Sequence, residues 1–430
     1  MHIERRHLLF AMLMISALQI VSAYSPSLIS LPAGSLPRGI VINPSTNMAY
    51  VAEYQSGNVT FVNLGSRNIV ADVNVGKGLE GIALSPNGAY VYVTSYNGSA
   101  IMAVNTNTYA VRTIPIANST PYGIAITPNG NYAYVTSPGI PVNGIQPNGS
   151  VYVINLQTGS VVAKIGVGRG TQGIAISPNG NYAYVANYDD STVSVIDTAT
   201  NKVVSVISSI GYGVDNIAVS PNGKYVYTSN YNLPLELYLG RQFNGSSTII
   251  DGTSNRFIKT VIAGQGPDAV AVSPTGTYAY VVNAGDGTIS LINTTTNNVT
   301  GTIVAGGFAK SFFDGIAISS DGNYAYLTDP YNSTLTVIDL RLATIHPSTF
   351  SVVPAVSAQQ TSTQTGSTQP TTVQTSTNTS KTNTNTGTSA QQTPASSSAT
   401  GNTLLYGMVG IVILLLIAII VLLLRSTGKR

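Results

Sequence analysis

The feature that most constrains the fold of this chain is a short segment that occurs seven times. The copy SPNGNYAYVANY, which begins at Ser177, shows its form: a turn sequence followed by a run in which Tyr, Ala and Val alternate. The copies begin at Asn43, Ser85, Thr127, Ser177, Ser220, Ser273 and Ser319. Successive copies begin 42 to 53 residues apart. A period of about 40–50 residues with several short strands in each unit is typical of a β-propeller blade.

Each unit contains four strand-like pieces separated by turn residues. In the fourth unit they are Gly173–Ser177, Tyr182–Ala186, Val193–Asp197 and Val203–Ile207, and the turns carry Pro-Asn-Gly, Asp-Asp-Ser and Asp-Thr-Ala-Thr-Asn. Both faces of these strands are apolar, as expected for a sheet packed between two neighbours. The Tyr pairs are interpreted as packing between blades. The sequence thus predicts an all-β, seven-bladed propeller of four-stranded blades.

The two ends of the repeat region predict how the ring closes. LPAGSLPRGI from Leu31 aligns with IGVGRGTQGI from Ile165, so the preceding SLIS from Ser27 corresponds to a fourth strand. The seventh unit provides three strands and ends near Asp339. We therefore expect the N-terminal strand to complete the last blade.

The repeats resemble a known family. PNGNYAYVTS and STVSVIDTATNKVV are similar to the YVTN-type β-propeller repeats of archaeal and bacterial surface-layer and cell-surface proteins. The resemblance covers about residues 27–345. It implies a propeller on the cell surface, and it leaves function open, because propellers serve as scaffolds and as enzymes alike.

The supply of reactive side chains is limited. The chain has no Cys and three His, of which His2 and His7 precede the predicted cleavage site and His346 follows the last blade. This excludes Cys-His pairs, Ser-His-Asp triads and His-ligated zinc or haem within the propeller. Carboxylates, amides and tyrosines remain.

Two sets of equivalent positions are expected to surround one end of the central channel. The first set precedes the innermost strands and consists of Arg38, Glu80, Tyr122, Gln172, Asp215, Asp268 and Asp314. The second set ends the second strands and consists of Glu53, Ser95, Ser137, Asn187, Asn230, Asn283 and Asp329.

The carboxylates of these two sets predict a metal site. Glu80, Asp215, Asp268, Asp314 and Asp329 form a cluster of hard oxygen ligands of the kind that binds Ca²⁺ or Mg²⁺. No other cofactor is firmly implied. The alternative is a solvated channel mouth in which these side chains bind no ion.

Two insertions follow second strands at the same end, at 138–149 and 232–247, and are expected to contact an envelope protein or a glycan. Sequons for N-glycosylation occur at Asn58, Asn97, Asn118, Asn148, Asn244, Asn293, Asn298, Asn332 and Asn378.

The chain termini predict the topology. Residues 1–23 are interpreted as a signal peptide, 24–345 as the propeller, 346–402 as a disordered Ser/Thr/Gln-rich stalk and 403–424 as a transmembrane helix. The basic tail, 425–430, is expected to be cytoplasmic, which places the propeller outside the cell. The alternative for residues 1–23 is an N-terminal membrane anchor that is not cleaved.

Charge argues against nucleic acid as a partner. Of 19 Lys and Arg and 16 Asp and Glu, the terminal segments hold most of the excess positive charge, which leaves the propeller without a basic stripe. We expect a membrane-anchored, non-catalytic envelope component or a scaffold that binds a partner or glycan. The alternative is an extracellular metal-dependent hydrolase or lyase, similar to lactonase-type propellers, that uses the carboxylate cluster.

Overall fold

Twenty-eight strands form seven antiparallel sheets of four strands each. The structure is a computed structural model and describes residues 25–347 except 142, 143, 145, 209, 232–243, 307–313 and 344. The predicted signal peptide, the membrane segment, the tail, Asn378 and nearly all of the stalk lie outside these residues, as does most of the loop at 232–247. Within the described residues, no helix is long and apolar enough to cross a membrane.

The first strand of each of blades one to seven is innermost, and the strands follow in chain order toward the rim. Blade one contains β2 (Pro37–Asn43), β3 (Met48–Glu53), β4 (Asn58–Asn63) and β5 (Asn68–Asn74). Blade two contains β6 (Leu79–Leu84), β7 (Tyr90–Ser95), β8 (Ala100–Asn105) and β9 (Val111–Pro115). Blade three contains β10 (Ile124–Ile126), β11 (Tyr132–Ser137), β12 (Asn148–Asn155) and β13 (Ser160–Arg169). Blade four contains β14 (Thr171–Ile176), β15 (Tyr182–Asn187), β16 (Thr192–Asp197) and β17 (Lys202–Ile207).

The remaining three blades repeat this arrangement. Blade five contains β18 (Val214–Val219), β19 (Tyr225–Asn230), β20 (Asn244–Asp251) and β21 (Arg256–Gln265). Blade six contains β22 (Pro267–Val272), β23 (Tyr278–Asn283), β24 (Thr288–Asn293) and β25 (Asn298–Val304). Blade seven contains β26 (Ile316–Ile318), β27 (Tyr324–Asp329), β28 (Thr334–Asp339) and the N-terminal β1 (Ser27–Ser30). The predicted seven blades of four strands are confirmed.

The ring is closed by the N-terminal strand, as predicted. β1 pairs antiparallel with β28, and Ile29 faces Leu335 across the pair. Ile29 is buried in a cluster that joins Leu335 and Val337 of blade seven to Val51 of blade one. The first segment of the propeller thus completes the last blade and packs against the first.

The hydrophobic core is divided into seven clusters, one at each boundary between adjacent blades. Between blades two and three, for example, Tyr92 and Ile101 pack against Val135 and Ile154. This arrangement follows from strands whose two faces are both apolar, since each sheet is covered by a neighbour on either side.

In three blades the second tyrosine of the pair bonds to the next blade, which agrees with the interpretation as inter-blade packing. Its hydroxyl donates to an asparagine Oδ1 in the turn before the neighbour's outermost strand, at 2.7 Å in each of three boundaries. The pairs are Tyr134 with Asn201, Tyr184 with Asn255 and Tyr227 with Asn297. All three asparagines have a positive φ, a conformation that Asn tolerates better than most residues.

Candidate functional site

Residues that precede the innermost strands line a central cavity of about 220 Å³. Six of the seven predicted positions contribute to its wall, and Gln172 is the exception. The six are Arg38, Glu80, Tyr122, Asp215, Asp268 and Asp314. The fold therefore brings four carboxyl groups, a guanidinium and a phenol to one end of the channel. We refer to these six residues as the channel ring.

Close contacts between adjacent blades hold the channel-ring backbone in place. Gly81 follows Glu80, and a Cβ at Gly81 would lie 2.5 Å from the Tyr122 carbonyl oxygen of the next blade. The same carbonyl accepts a hydrogen bond from Thr94 Oγ1 at 2.6 Å, while Thr94 Oγ1 accepts one from the Gly81 N–H. Only a glycine permits this approach without displacing the neighbouring blade.

Hydroxyls at the position of Thr94 recur in three further blades. Thr136, Ser229 and Thr328 donate to the backbone carbonyls of Gln172, Asp268 and Arg38. The role of these residues was not predicted from the sequence. Their signal was present, because a Ser or Thr precedes the last residue of the second strand in four of the seven copies.

Arg38 is the cationic member of the channel ring. Its Nη1 donates to Asp314 Oδ2, its Nε lies 3.9 Å from Glu80 Oε2, and its guanidinium lies 5.5 Å from the centre of the Tyr54 ring. Asp314 is therefore largely neutralised by an ion pair, while Glu80 is at the outer limit of one. The ring carries one guanidinium against four carboxyl groups.

Burial raises the pKa of several ring carboxyl groups. Removal from water is the main cause for Glu80, whose pKa rises to about 8, although Arg38 opposes the shift. The Asp215 and Asp268 side chains share a hydrogen bond. Burial raises the pKa of both, and the charge of Asp215 raises that of Asp268 further. At neutral pH this pair holds a proton between its two carboxyls.

Two tyrosines adjoin these carboxyl groups. Burial raises the pKa of the Tyr122 phenol well above its ordinary value, and nearby Asp215 and Glu80 raise it further. The pKa of Tyr188 is raised by the same causes, burial first and then Asp215. Both phenols remain protonated and available as hydrogen-bond donors.

The second predicted set does not line the cavity. All seven side chains are buried, and four of them, those of Glu53, Asn187, Asn230 and Asn283, bond to hydroxyls of the third strand or the preceding turn. Asn187 Nδ2 donates to Thr192 and Ser194, and Glu53 accepts from Thr60 Oγ1 at 2.7 Å. Asp329, a proposed metal ligand, instead accepts from Asn332 through both carboxylate oxygens. The expectation that this set surrounds the channel mouth is wrong, because these side chains are buried and hydrogen-bonded away from the cavity wall.

The carboxyl groups of the channel ring do not assemble a recognisable ion site. Among the described residues, no group of three or more His, Asp or Glu side chains has the arrangement that would hold a metal ion. The role of Glu80, Asp215, Asp268 and Asp314 as ligands stays a prediction.

Most of the predicted glycosylation sites and part of the first inserted loop are exposed to solvent. Six of the eight described sequon asparagines are exposed, whereas Asn58 and Asn293 are partly buried, and Asn293 Oδ1 accepts turn amides. The loop at 138–149 begins at the same end of blade three as Tyr122, because the Tyr122 N–H donates to the Thr136 carbonyl near the end of β11. Within this loop Ile140 is 65% exposed.

One family model matches part of the chain. Residues 126–232 match the cytochrome D1 heme domain. This segment covers blade four and parts of blades three and five, which is less than half of the chain. A comparison with curated proteins finds no match.

The family match corrects one expectation. The sequence firmly implies no cofactor, and Ca²⁺ or Mg²⁺ is the ion that its carboxylates predict. The family that matches is one of heme domains, so the cofactor to which the comparison points is heme. The expectation of no cofactor beyond such an ion is wrong on this finding.

Among solved structures, the chain is similar to hydrazine synthase of Kuenenia stuttgartiensis. The TM-score is 0.61 at 20% sequence identity, and the similarity covers 72% of this chain and 96% of the other. Identity this low shows the fold alone. The YVTN-type assignment stays a prediction. Together with the seven observed sheets, the two likenesses show that this chain is a seven-bladed β-propeller.

Proposed function

We propose that this protein is a non-catalytic binding propeller of the cell surface whose channel ring receives a cationic group of a ligand or partner. The observation that carries the proposal is the cavity at the channel end, whose wall contains four carboxyl groups and a single guanidinium. Because Asp314 is paired with Arg38, Glu80 and the Asp215–Asp268 pair are available to a second cation.

The physical basis of binding is the cost of ionising these carboxyls inside the cavity. An incoming ammonium or guanidinium group compensates the negative charge that burial disfavours. Electrostatic attraction in the poorly solvated cavity is stronger than in water. The phenol of Tyr122 provides a neutral donor beside the same carboxyls. A cavity of about 220 Å³ admits one basic side chain or a small amine.

The experiment uses ethylammonium as the probe and the full-length chain. At about pH 8 the unfolding temperature, Tm, should rise with the concentration of ethylammonium, since a ligand that binds only the folded state stabilises that state. The Asp268→Asn variant should bind ethylammonium at least tenfold more weakly, as judged from the concentration dependence of Tm. The Asp197→Asn variant, which changes a turn carboxylate outside the cavity, should respond as the wild type does. An equal response in all three proteins would refute binding in the cavity.

Display at the cell surface is the second part of the proposal. It is supported by the leader-like segment at 1–23, the uncharged segment at 403–424 and the Ser/Thr-rich segment between propeller and anchor. The partner would approach the channel end, which is also the end of blade three at which the loop at 138–149 begins. Protease added to intact cells should release a fragment that contains all seven blades and ends within 346–402. Protection of the propeller until the cells are lysed would contradict surface display.

A second candidate is an extracellular hydrolase or lyase of the kind found among lactonase-type propellers. The observation in its favour is the raised pKa of Glu80, about 8, because a carboxyl that is protonated near neutral pH can act as a general acid. Hydrolysis of a simple lactone by the wild type, lost in Glu80→Gln, would favour this candidate over pure binding.

Heme is the cofactor to which the family comparison points, and its requirements can be compared with the channel. Protein ligands to heme iron are His, Cys, Met or Tyr. The matched segment contains no His, Cys or Met. Burial holds both tyrosines beside the ring carboxyls, Tyr122 and Tyr188, as neutral phenols, which are poor ligands for heme iron. The cavity is also smaller than the roughly 300–1,000 Å³ of drug-sized pockets. The described channel residues do not fit a heme. When hemin is added to the purified chain, the Soret band of the hemin should be the same as in buffer alone.

A further inference from the structure

A second and larger cavity lies between blades two and three, at the end opposite the channel ring. Its volume is about 420 Å³, within the roughly 300–1,000 Å³ typical of small-molecule sites. Tyr90 and Asn105 form part of its wall, and they face each other at the start of β7 and the end of β8. Arg112 of β9 contributes as well, and so do Leu156 and Gln157 of the next blade.

The cavity coincides with a break in the pattern of tyrosine–asparagine bonds. At the three boundaries described above, the turn residue that accepts from the tyrosine is an asparagine. The equivalent residue opposite Tyr92 is Gly159, which has no side chain to offer. The Leu156 carbonyl, equivalent to the carbonyl of Thr198 that Tyr134 also contacts, is bonded instead to Arg112 Nη2 at 2.6 Å.

The Tyr92 hydroxyl is consequently left without a hydrogen-bond partner among the described residues. The Tyr92 side chain lines the cavity, and the residue is only 5% exposed. Because Tyr92 lines the cavity, its hydroxyl is available to bond a ligand hydroxyl placed there.

The cavity also has an uncovered aromatic wall. Tyr90 is 39% exposed, and its ring centre lies 6.1 Å from that of Tyr92. In blades five and seven, the equivalent rings of Tyr225 and Tyr324 are each covered by a basic side chain at 5.0 Å. The ring of Tyr90 is left open for an apolar ligand face to stack on.

Arg112 gives the cavity a fixed positive charge. Two of its nitrogens donate to the carbonyls of Leu156 and Gln157, which orients the guanidinium. Its ion-pair partner is missing, because no carboxylate of the described residues lies within salt-bridge distance of it. The remaining N–H donors of a guanidinium suit a carboxylate, which they can bind in bidentate fashion.

We propose that this cavity binds an acidic sugar unit, a hexuronate, between blades two and three. The C–H face of the sugar ring stacks on Tyr90, its carboxylate pairs with Arg112, and a ring hydroxyl bonds to Tyr92 Oη. The amides of Asn105 and Gln157 adjoin the remaining hydroxyls. This site is separate from the channel ring and stands whether or not the ring binds a cation.

The test exploits the lack of tryptophan in the chain. Tyr90→Trp in the full-length protein introduces a single fluorophore that keeps the aromatic wall, and sodium glucuronate is the probe. We expect a saturable change in tryptophan fluorescence. Adding Arg112→Gln should weaken binding at least tenfold, and adding Tyr92→Phe should weaken it about fivefold. Adding Tyr280→Phe, which removes an equally buried hydroxyl from another boundary, should leave binding unchanged.

Three controls decide whether a response belongs to this site and to this ligand. Tyr182→Trp places the fluorophore at the equivalent position of blade four and should show no saturable response. Glucose tests the need for the carboxylate, and acetate tests the need for the sugar ring. No saturation by glucuronate, equal binding of glucose or acetate, a response at Tyr182→Trp, or no effect of Arg112→Gln would each overturn the proposal.

Discussion

Replacement of Glu80 by Gln should make the propeller more stable at alkaline pH. The pKa of Glu80 rises from 4.5 to about 8 on folding, chiefly because its side chain is only 11% exposed. A folded-state pKa above the unfolded value means that Glu80 contributes its full stability below about pH 4.5. That contribution is lost as pH rises through the folded pKa, because folded Glu80 must then ionise in the cavity.

The magnitude follows from the size of this shift. Each pKa unit corresponds to about 1.36 kcal/mol, so a rise from 4.5 to about 8 corresponds to roughly 5 kcal/mol. For a domain of this size, about 2 °C in Tm corresponds to each kcal/mol. Glu80→Gln should therefore unfold about 10 °C above the wild type near pH 9, and within about 2 °C of it near pH 4.

Thermal unfolding followed by circular dichroism from about pH 4 to pH 9 measures this difference. Asp197→Asn serves as a control because the pKa of Asp197 is shifted in the opposite direction from that of Glu80. Hydrogen bonds from Thr200 in the turn lower the pKa of Asp197. That variant should lose stability relative to the wild type as pH rises above about 4. A wild-type pH profile in Glu80→Gln, or a lower Tm near pH 9, would refute the reasoning about the cavity.

Two further predictions concern how the ring is held together. Ile29→Ala should destabilise the protein by roughly 3 kcal/mol in chemical unfolding, because Ile29 is buried where β1 closes blade seven, whereas Leu28→Ala, at a side chain 49% exposed on the same strand, should change stability little. If both variants behave alike, β1 does not close the ring. Thr94→Val should cost roughly 1 kcal/mol, since it removes the hydroxyl that bonds to the Tyr122 carbonyl and the Gly81 N–H, while the direct bond between those two groups remains. A neutral Thr94→Val would show that the hydroxyl does not hold the channel ring.

The fold was accessible from the sequence because its repeat carries turn residues, strand periodicity and register together. The positions of Glu80 and Asp314 in the cavity were accessible for the same reason, since each directly precedes the innermost strand. The ends of the second strands were misjudged. Asn187 and Asn283 each have a Thr and a Ser five and seven residues later, and those hydroxyls hold the amides inside the blade.

Other features depend on contacts between blades that one repeat does not reveal. The shared hydrogen bond between Asp215 and Asp268 arises because consecutive blades converge on one axis, and its effect on pKa depends on burial. The missing partner of Tyr92 follows from Gly159, which stands where three other turns have an asparagine. This difference has a meaning only after the tyrosine–asparagine contact has been seen in the structure. The family match at 126–232 rests on the pattern of a whole segment and not on identifiable heme ligands.

The central claim, that the channel ring receives a cation, is tested most directly by the protons released on binding. Calorimetric titration of the full-length chain with ethylammonium, in two buffers of different ionisation enthalpy at about pH 7, counts them. The account predicts net proton release, because the cation favours the ionised forms of Glu80 and of the Asp215–Asp268 pair. Release should be lost in Glu80→Gln combined with Asp268→Asn. Binding without proton release, or no binding at all, would contradict it.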